Sequence, residues 1–419
     1  MIQRRGRRLL FVCLFLLFPT LLLSQTLSLA ECVKQAVQAS YQLRASEFRS
    51  QSARKDYALK KAGNLPQFFG LLSYEREQLT PYGFSRQWSL LQADWALGDF
   101  LLKTQNIAQK RAIAAGQAVE GQRLAVARRT VLLFIEALKQ KEVNALLKQR
   151  LHNLQLHEKI TRALWQSGSK NELDVLQTEA EILELKEEME KTLSRRRLLL
   201  NELALIIGRS AADSLRQLPL NSAQIANTPL PVFDEERLKN HPLWRMLQFK
   251  VEAARLTQKA VRASQLPRLQ VSFGFVQDGD PTGDGNYWLA SAGIRFPLFQ
   301  WNRSQIARQK RQMVFKTIRS EQSAALRQLR IEAQRALTEL KKLKRILQLQ
   351  QQRVKKTEQM VQMARTQYKA GLITNLEFLT IQEQFTASQI ALRNTQLDYA
   401  AQLAQFYLVT NQPEKLQAW

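Results

Sequence analysis

The chain repeats itself. Residues 41–68 align without a gap on residues 242–269, so that Arg44, Phe48, Ala53, Arg54, Ala62, Leu65 and Pro66 recur as Arg245, Phe249, Ala254, Arg255, Ala263, Leu266 and Pro267. Later landmarks keep nearly the same offset. Trp95-Ala-Leu97 returns as Phe296-Pro-Leu298, and Trp165-Gln-Ser-Gly168 with Leu173-Asp174 returns as Tyr368-Lys-Ala-Gly371 with Leu376-Glu377. A duplication of this period constrains architecture before anything else does. Each half must supply the same elements in the same order. Each half is also too elongated to form a globule, so the two complete one object together.

Proline marks where the elements stop. None occurs from Tyr82 to Leu218 or from Leu298 to Gln412, and within the second run the only glycine is Gly371. Such stretches, rich in Leu, Ala, Gln, Lys, Arg and Glu, read as helix. In the second run Leu326, Ala333, Leu340, Leu347, Val354, Val361 and Tyr368 are seven apart, with Leu329, Ala336, Leu343, Gln350, Thr357 and Ala364 between them. Two interleaved heptad series make a coiled-coil seam. Leu124, Val131, Leu138 and Ala145 form a weaker version in the first half. Helices near 103–163 and 303–368 are each expected to run about 90 Å. Each reverses at a glycine, Gly168 or Gly371, suited to the left-handed position past a helix end. Asn171 and Thr374 then read as N-caps of return helices near 172–207 and 375–410, with Asp174 and Glu377 placed to complete capping boxes.

Before each helical hairpin the period changes to two. Leu269, Val271, Phe273 and Phe275 alternate with Gln270, Ser272 and Gly274, and Trp288, Ala290, Ala292, Ile294 and Phe296 alternate with Tyr287, Ser291, Gly293 and Arg295. Strands of about ten residues with one apolar face have the length and pattern of an outer-membrane barrel strand. Their counterparts near Phe68–Glu77 and Trp88–Leu97 alternate less cleanly. Tyr74, Tyr82, Phe84, Trp88, Tyr287 and Trp288 are candidates for an interfacial aromatic girdle. Four strands cannot close a barrel, and lipid does not tolerate an open sheet edge. A membrane-spanning reading therefore requires several copies, and three would give 12 strands and 12 long helices.

The charge is +26, with 18 Lys/Arg against 4 Glu in 301–370 and 12 against 4 in 101–166. Binding of nucleic acid is the obvious alternative. No nucleic-acid motif is present, aromatics are absent among the basic residues, and the N-terminus points to export. A solvated helix exterior, partly paired with the acidic return helix Glu172–Glu190, fits better. At the N-terminus Arg4, Arg5, Arg7 and Arg8 precede the apolar run Leu9–Phe18, the form of a secretory signal rather than a membrane span of roughly 20 residues. Cys13 falls inside that signal, leaving Cys32 without a disulfide partner. His152, His157 and His241 do not suggest a metal site, and no catalytic arrangement or cofactor motif is evident. The segment Gln277-Asp-Gly-Asp-Pro-Thr-Gly-Asp-Gly-Asn286 looks like a calcium loop but lacks the bidentate Glu at its twelfth position, and its composition is ordinary turn chemistry.

The expected organisation is a signal peptide at 1–25 and a first repeat at 26–208, with a β-hairpin at 67–97 and a helical hairpin at 103–207. A connector at 209–233 leads to a second repeat at 234–412, with a β-hairpin at 268–297 and a helical hairpin at 303–410, and a tail at 413–419. Several segments resemble the TolC family of outer-membrane efflux proteins: the opening helix Leu29-Ala-Glu-Cys-Val-Lys-Gln-Ala36, the helix-to-strand turns Gly63-Asn-Leu-Pro66 and Ser264-Gln-Leu-Pro267, Phe296-Pro-Leu-Phe299, and the turn Tyr368-Lys-Ala-Gly-Leu-Ile-Thr-Asn-Leu-Glu-Phe-Leu379. Their order and duplication cover nearly the whole mature chain. The resemblance implies a mainly α fold with a small transmembrane β part. Long helical hairpins build an α-barrel, and two β-hairpins per chain contribute to a trimeric 12-stranded outer-membrane β-barrel. It implies a passive, non-enzymatic exit duct in the outer membrane with its helical tunnel in the periplasm. The implied partners are two sister copies, outer-membrane lipid, a periplasmic adaptor and an inner-membrane pump. The alternative is a periplasmic coiled-coil adaptor, against which two tandem hairpins speak. Carried over residue by residue, Asp174 and Tyr368 match members of the family's periplasmic gate and Glu377 one member of a carboxylate ring. Ile373 stands where an arginine is often found and Thr380 where a second carboxylate is. The turns Gly168-Ser169-Lys170 and Gly371-Leu372-Ile373 match the tips that meet the adaptor, with Leu372 and Ile373 expected to be exposed.

Overall fold

A computed structural model describes residues 27–77, 84–209, 219–261, 266–278, 285–296, 298–299 and 301–418. The expected signal segment 1–25, the hairpin residues 78–83 and 279–284, which include Tyr82 of the aromatic set, and residues 210–218 of the connector lie outside the described residues. The first half contains helices α1 (Leu29–Ala39) and α2 (Tyr41–Ala62), strands β1 (Gln67–Glu77) and β2 (Phe84–Trp95), the short α3 (Leu97–Leu101), and the hairpin α4 (Gln105–Gln166) and α5 (Glu172–Ile206). After α6 (Ser222–Ala226), the second half repeats the order with α7 (Pro242–Ala260), β3 (Arg268–Asp278), β4 (Tyr287–Arg295), α8 (Arg303–Lys369) and α9 (Asn375–Val409). The chain is mainly helical with one small antiparallel sheet, as its two periodicities dictate.

The strands form a single sheet in the order β1-β2-β3-β4, every neighbour antiparallel. Register fixes its faces. Val271 lies opposite Ala93 and Ala292, Phe273 opposite Leu91 and Ala290, and Phe275 opposite Trp288. Phe68 and Leu72 of β1 fall on the same side through Ala93 and Ser89. Phe273 and Phe275 each lie 5.2 Å from the Trp288 ring. The other face carries Gln67, Asp94, Gln92, Gln270, Ser272, Ser291 and Arg295, with Arg86 paired to Asp278 at 2.7 Å. That face is mixed rather than wholly polar, since Phe69, Leu71, Leu90 and Leu289 share it, but the polar residues are concentrated there, as in a strand set between lipid and a wet interior. Tyr74 and Trp288 are exposed on the apolar face. Tyr287, expected among the interfacial aromatics, lies on the polar face instead, because its partner Val276 is in step with Ser272.

The helices form one layer. In the half next to the sheet the order is α2-α4-α7-α8, and in the far half it is α5-α4-α9-α8. The column made by α2 and α5 follows the β1 edge, and α8 follows the β4 edge. All nine buried residues of α8 belong to the two heptad series, from Leu329 and Ala333 to Ala364 and Tyr368. In α4 the seam moves: Val131 and Leu138 are buried, but Ala145 is exposed and burial continues through Asn144, Leu147, Leu154 and Thr161. A straight helix drifts about 20° per heptad, and α4 changes neighbours along its length.

The largest core lies at mid-height. Phe134, Ile135 and Leu138 of α4 pack with Leu340, Leu397, Leu403 and Phe406, and α1 and α6 cover them from outside through Leu29, Cys32 and Ile225. Burial pushes the Cys32 thiol up to about 12, so it is an inert packing residue. None of the described helices is long and apolar enough to cross a membrane.

Candidate functional site

The two helical turns lie at the end of the layer far from the sheet. Gly168 and Gly371 adopt φ of +73° and +74°, the left-handed region where a side chain is strained. Ser169 and Lys170 bond back to the carbonyl of Leu164, and Leu372 bonds back to that of Gln367, closing each turn. The return helices begin differently. Thr374 accepts from Glu377 N–H while the Glu377 carboxylate accepts from Thr374 N–H at 2.7 Å, a complete capping box. Those bonds hold the Glu377 carboxyl below the usual carboxylate range. Asn171 caps α5 with its backbone only. The expected first box is absent: the Asn171 side chain makes no cap bond, and the shorter Asp174 side chain does not reach back as that of Glu377 does.

Between the turns, the two hairpins are joined by a buried polar node. Asn375, the first residue of α9, is 1 % exposed and reaches across to the first hairpin. Its Nδ2 donates to Asp174 O at 2.9 Å, and its Oδ1 lies 2.8 Å from His157 Nε2. An amide oxygen only accepts, so His157 carries its proton on Nε2. Burial holds the imidazole below the usual histidine range, against the opposing pull of the Asn375 bond and of Asp174. Thr161 Oγ1 sits 3.4 Å from the Tyr368 hydroxyl and donates to His157 O at 3.0 Å. His157 stacks on Phe378 at 4.1 Å and lies 4.8 Å from Tyr368. The node therefore links α4 and α5 to α8 and α9, with Ala364, Tyr368 and Phe378 as its apolar floor.

The residues expected here are only partly brought together. Tyr368 is fully buried within its own protomer, and Lys170 places Nζ 5.0 Å above its ring. Asp174 enters the node through its backbone carbonyl, while its side chain stays half-exposed. Glu377 is exposed and turned onto its own cap. Leu372 is 74 % exposed. Ile373, expected beside it on the surface, is half-buried, because it packs against the Tyr368–Phe378 cluster. Thr161, Thr178 and Asn375 carry no reading in the sequence, and His157 enters there only as a histidine that does not suggest a metal site. The spacing of Leu147, Arg150, Leu154, His157 and Thr161, alternately three and four apart, carries that signal. Among the described residues no group of three His, Cys, Asp or Glu side chains could hold a metal ion.

The second feature is a concavity of about 790 Å³ where the layer meets the sheet, lined by α2, α4, α7, α8 and Arg268 of β3. Arg111 lies on the face of α4 opposite Glu120, Leu124 and Ala127, the face that with α1 lines a cleft on the other side of the layer. The concavity is thus on the side of the layer away from α1, and Arg268 joins it to the polar face of the sheet.

No curated protein matches the chain by sequence. Solved structures match its fold over nearly its whole length. VceC, an outer membrane protein of Vibrio cholerae, aligns with a TM-score of 0.78 at 16 % identity, over 91 % of this chain and 95 % of that one. The open state of the Neisseria gonorrhoeae MtrE outer membrane channel gives 0.79 at 18 %, over 92 % and 89 %. The Campylobacter jejuni CmeC outer membrane channel gives 0.77 at 17 %, over 92 % and 86 %. The profile of the family described as outer membrane efflux protein matches twice, at residues 32–209 and 235–412, once per repeat. The chain belongs to the outer membrane efflux protein family, of the TolC-like kind.

Proposed function

We propose that three copies of this chain close into one conduit, the passive exit duct of a tripartite efflux or secretion system. Its β-barrel spans the outer membrane and its helical tunnel lies in the periplasm. One observation carries the reading: the sheet and the helical layer end at the same two margins. β1 with α2 and α5 forms one, and β4 with α8 the other. β4 runs opposite to β1, so repeating the sheet side by side keeps every pair antiparallel. Apolar side chains without partners gather along both margins. Phe48, Leu59, Leu183 and Leu205 lie on one, and Ile306, Met313, Leu349 and Met363 on the other. Covering a side chain of this size is worth about 1.5–3 kcal/mol. A head-to-tail ring covers both margins at once, and the closed barrel leaves no sheet edge in lipid.

In this reading the far end of the tunnel is the gate, and Asp174, Tyr368 and Glu377 lie beside it. Tyr368 and the carbonyl of Asp174 act through the buried node, setting how the second hairpin leans on the first. The tips Gly168–Lys170 and Gly371–Ile373 face the periplasmic adaptor, which hands on cargo from an inner-membrane pump, and exposed Leu372 is the apolar contact. The duct itself performs no chemistry. Light scattering on detergent-solubilised protein, with the detergent mass subtracted, tests the assembly: three copies are expected, together with conductance in planar bilayers. A mature protein that is monomeric and soluble without detergent refutes the proposal.

A further inference from the structure

The concavity beside the sheet is strongly basic. Its lining includes Lys60, Arg111, Arg268, Arg303 and Arg311 against only Asp56 and Asp99. Asp99 is already engaged by Lys60 at 3.4 Å. Among the described residues none of Arg111, Arg268, Arg303 and Arg311 forms an ion pair. The sheet adds another cation. Arg295 stands directly opposite Arg268 across the β3–β4 ladder, on the same polar face, and its guanidinium donates to the neutral Gln270. Like charges placed directly opposite destabilise a strand pair. Their presence at the foot of the barrel, without a carboxylate between them, is a local cost that an anion from outside removes.

We infer that this ring of guanidiniums is an anion-recruiting collar at the base of the barrel, which favours small solutes bearing carboxylate, phosphate or sulfate groups. The inference rests on the conduit reading, because only ring closure brings the concavities of several copies around one bore. Rings of Arg or Lys select anions in pores, and a cleft lined by one sign of charge raises the local concentration of the opposite ion. Arginine suits the task, since its planar fork binds carboxylate and phosphate through paired hydrogen bonds. Lipid headgroups are not the target. The collar is on the polar side of the sheet, opposite the face that carries Phe273 and Trp288.

The test is the reversal potential of the purified protein in planar bilayers under a potassium chloride gradient. The wild type is expected to pass chloride over potassium. The variant Arg268→Gln/Arg303→Gln/Arg311→Gln is expected to lose about tenfold in that permeability ratio at low salt, and the difference should vanish near 1 M salt, where screening is short-ranged. Lys239→Gln, in the short helical turn Glu235–Asn240 before α7 and away from the concavity, should change nothing. Should the triple variant fail to assemble, Asp56→Asn reads the same collar in the opposite sense and is expected to raise the ratio. A wild type that conducts without anion preference, or an assembled triple variant that keeps it, overturns the collar and leaves the conduit standing. A trimer with no conductance at all overturns both.

Discussion

Removing one amide should loosen the two hairpins from each other. In Asn375→Ala the 4 %-exposed His157 loses its 2.8 Å acceptor. Thr161 Oγ1 keeps free lone pairs but, at 3.4 Å, is too distant to be a good replacement. The Asp174 carbonyl fares better, since it keeps its 2.9 Å bond from Thr178. One orphaned buried donor and one weakened acceptor together cost about 2–4 kcal/mol. That corresponds to roughly a 30- to 1000-fold rise in local opening. Hydrogen exchange followed by mass spectrometry on the detergent-solubilised protein reads this directly. Peptides covering 154–165 and 372–382 should exchange faster, while a peptide covering 126–138 in the mid-height core should not change. The double variant His157→Phe/Asn375→Leu removes both partners and should recover most of the protection. If Asn375→Ala exchanged like the wild type in both tip peptides, the node would not be what holds the hairpins, and the reasoning would fail.

Three further outcomes follow from the same geometry. His157 is held below its ordinary value of 6.5, so the unfolded chain takes up a proton first. Its contribution is complete above about pH 6.5 and is lost as the pH falls below it, with Asp174 opposing and Arg365 favouring the neutral form. A thermal melt repeated between pH 8 and 5 should show this loss in the wild type and less of it in His157→Phe, where His241, also lowered by burial, still contributes in the same direction. Thr374→Ala removes the side-chain half of the α9 capping box and should cost about 1 kcal/mol, seen as faster exchange confined to the first turn of α9. Gly274→Ala places a Cβ 2.3 Å from Ser89 O, a backbone atom of the neighbouring strand. That variant should fail to form the folded, heat-modifiable barrel species on a detergent gel, whereas Gly293→Ala, which meets nothing within 4 Å, should assemble normally.

The parts of the fold legible in the sequence are those set by periodicity and by backbone constraint. The heptad series of α8 named its buried residues because a long helix with constant neighbours repeats one environment. Gly168 and Gly371 were legible because a tight reversal needs positive φ. The seam of α4 was misplaced at Ala145 because its neighbours change partway along, which no local pattern records. The node was hidden for a different reason: His157 and Asn375 are 218 residues apart, and each alone looks like a polar residue on a solvated helix. The first capping box fails on both sides, since the Asn171 side chain makes no cap bond and Asp174 is one methylene shorter than Glu377. The collar was half visible. The excess of basic residues was plain, but not that several face one concavity beside Arg268.

In the proposed ring the two margins are not copies of each other: β1 with α2 and α5 forms one, and β4 with α8 the other. Such an interface is heterologous, so a pair of chains always leaves one margin of each kind uncovered, and only a closed ring covers them all. A dimer of this chain is then an unfinished object, and assembly is expected to run through to closure without a stable half-way species.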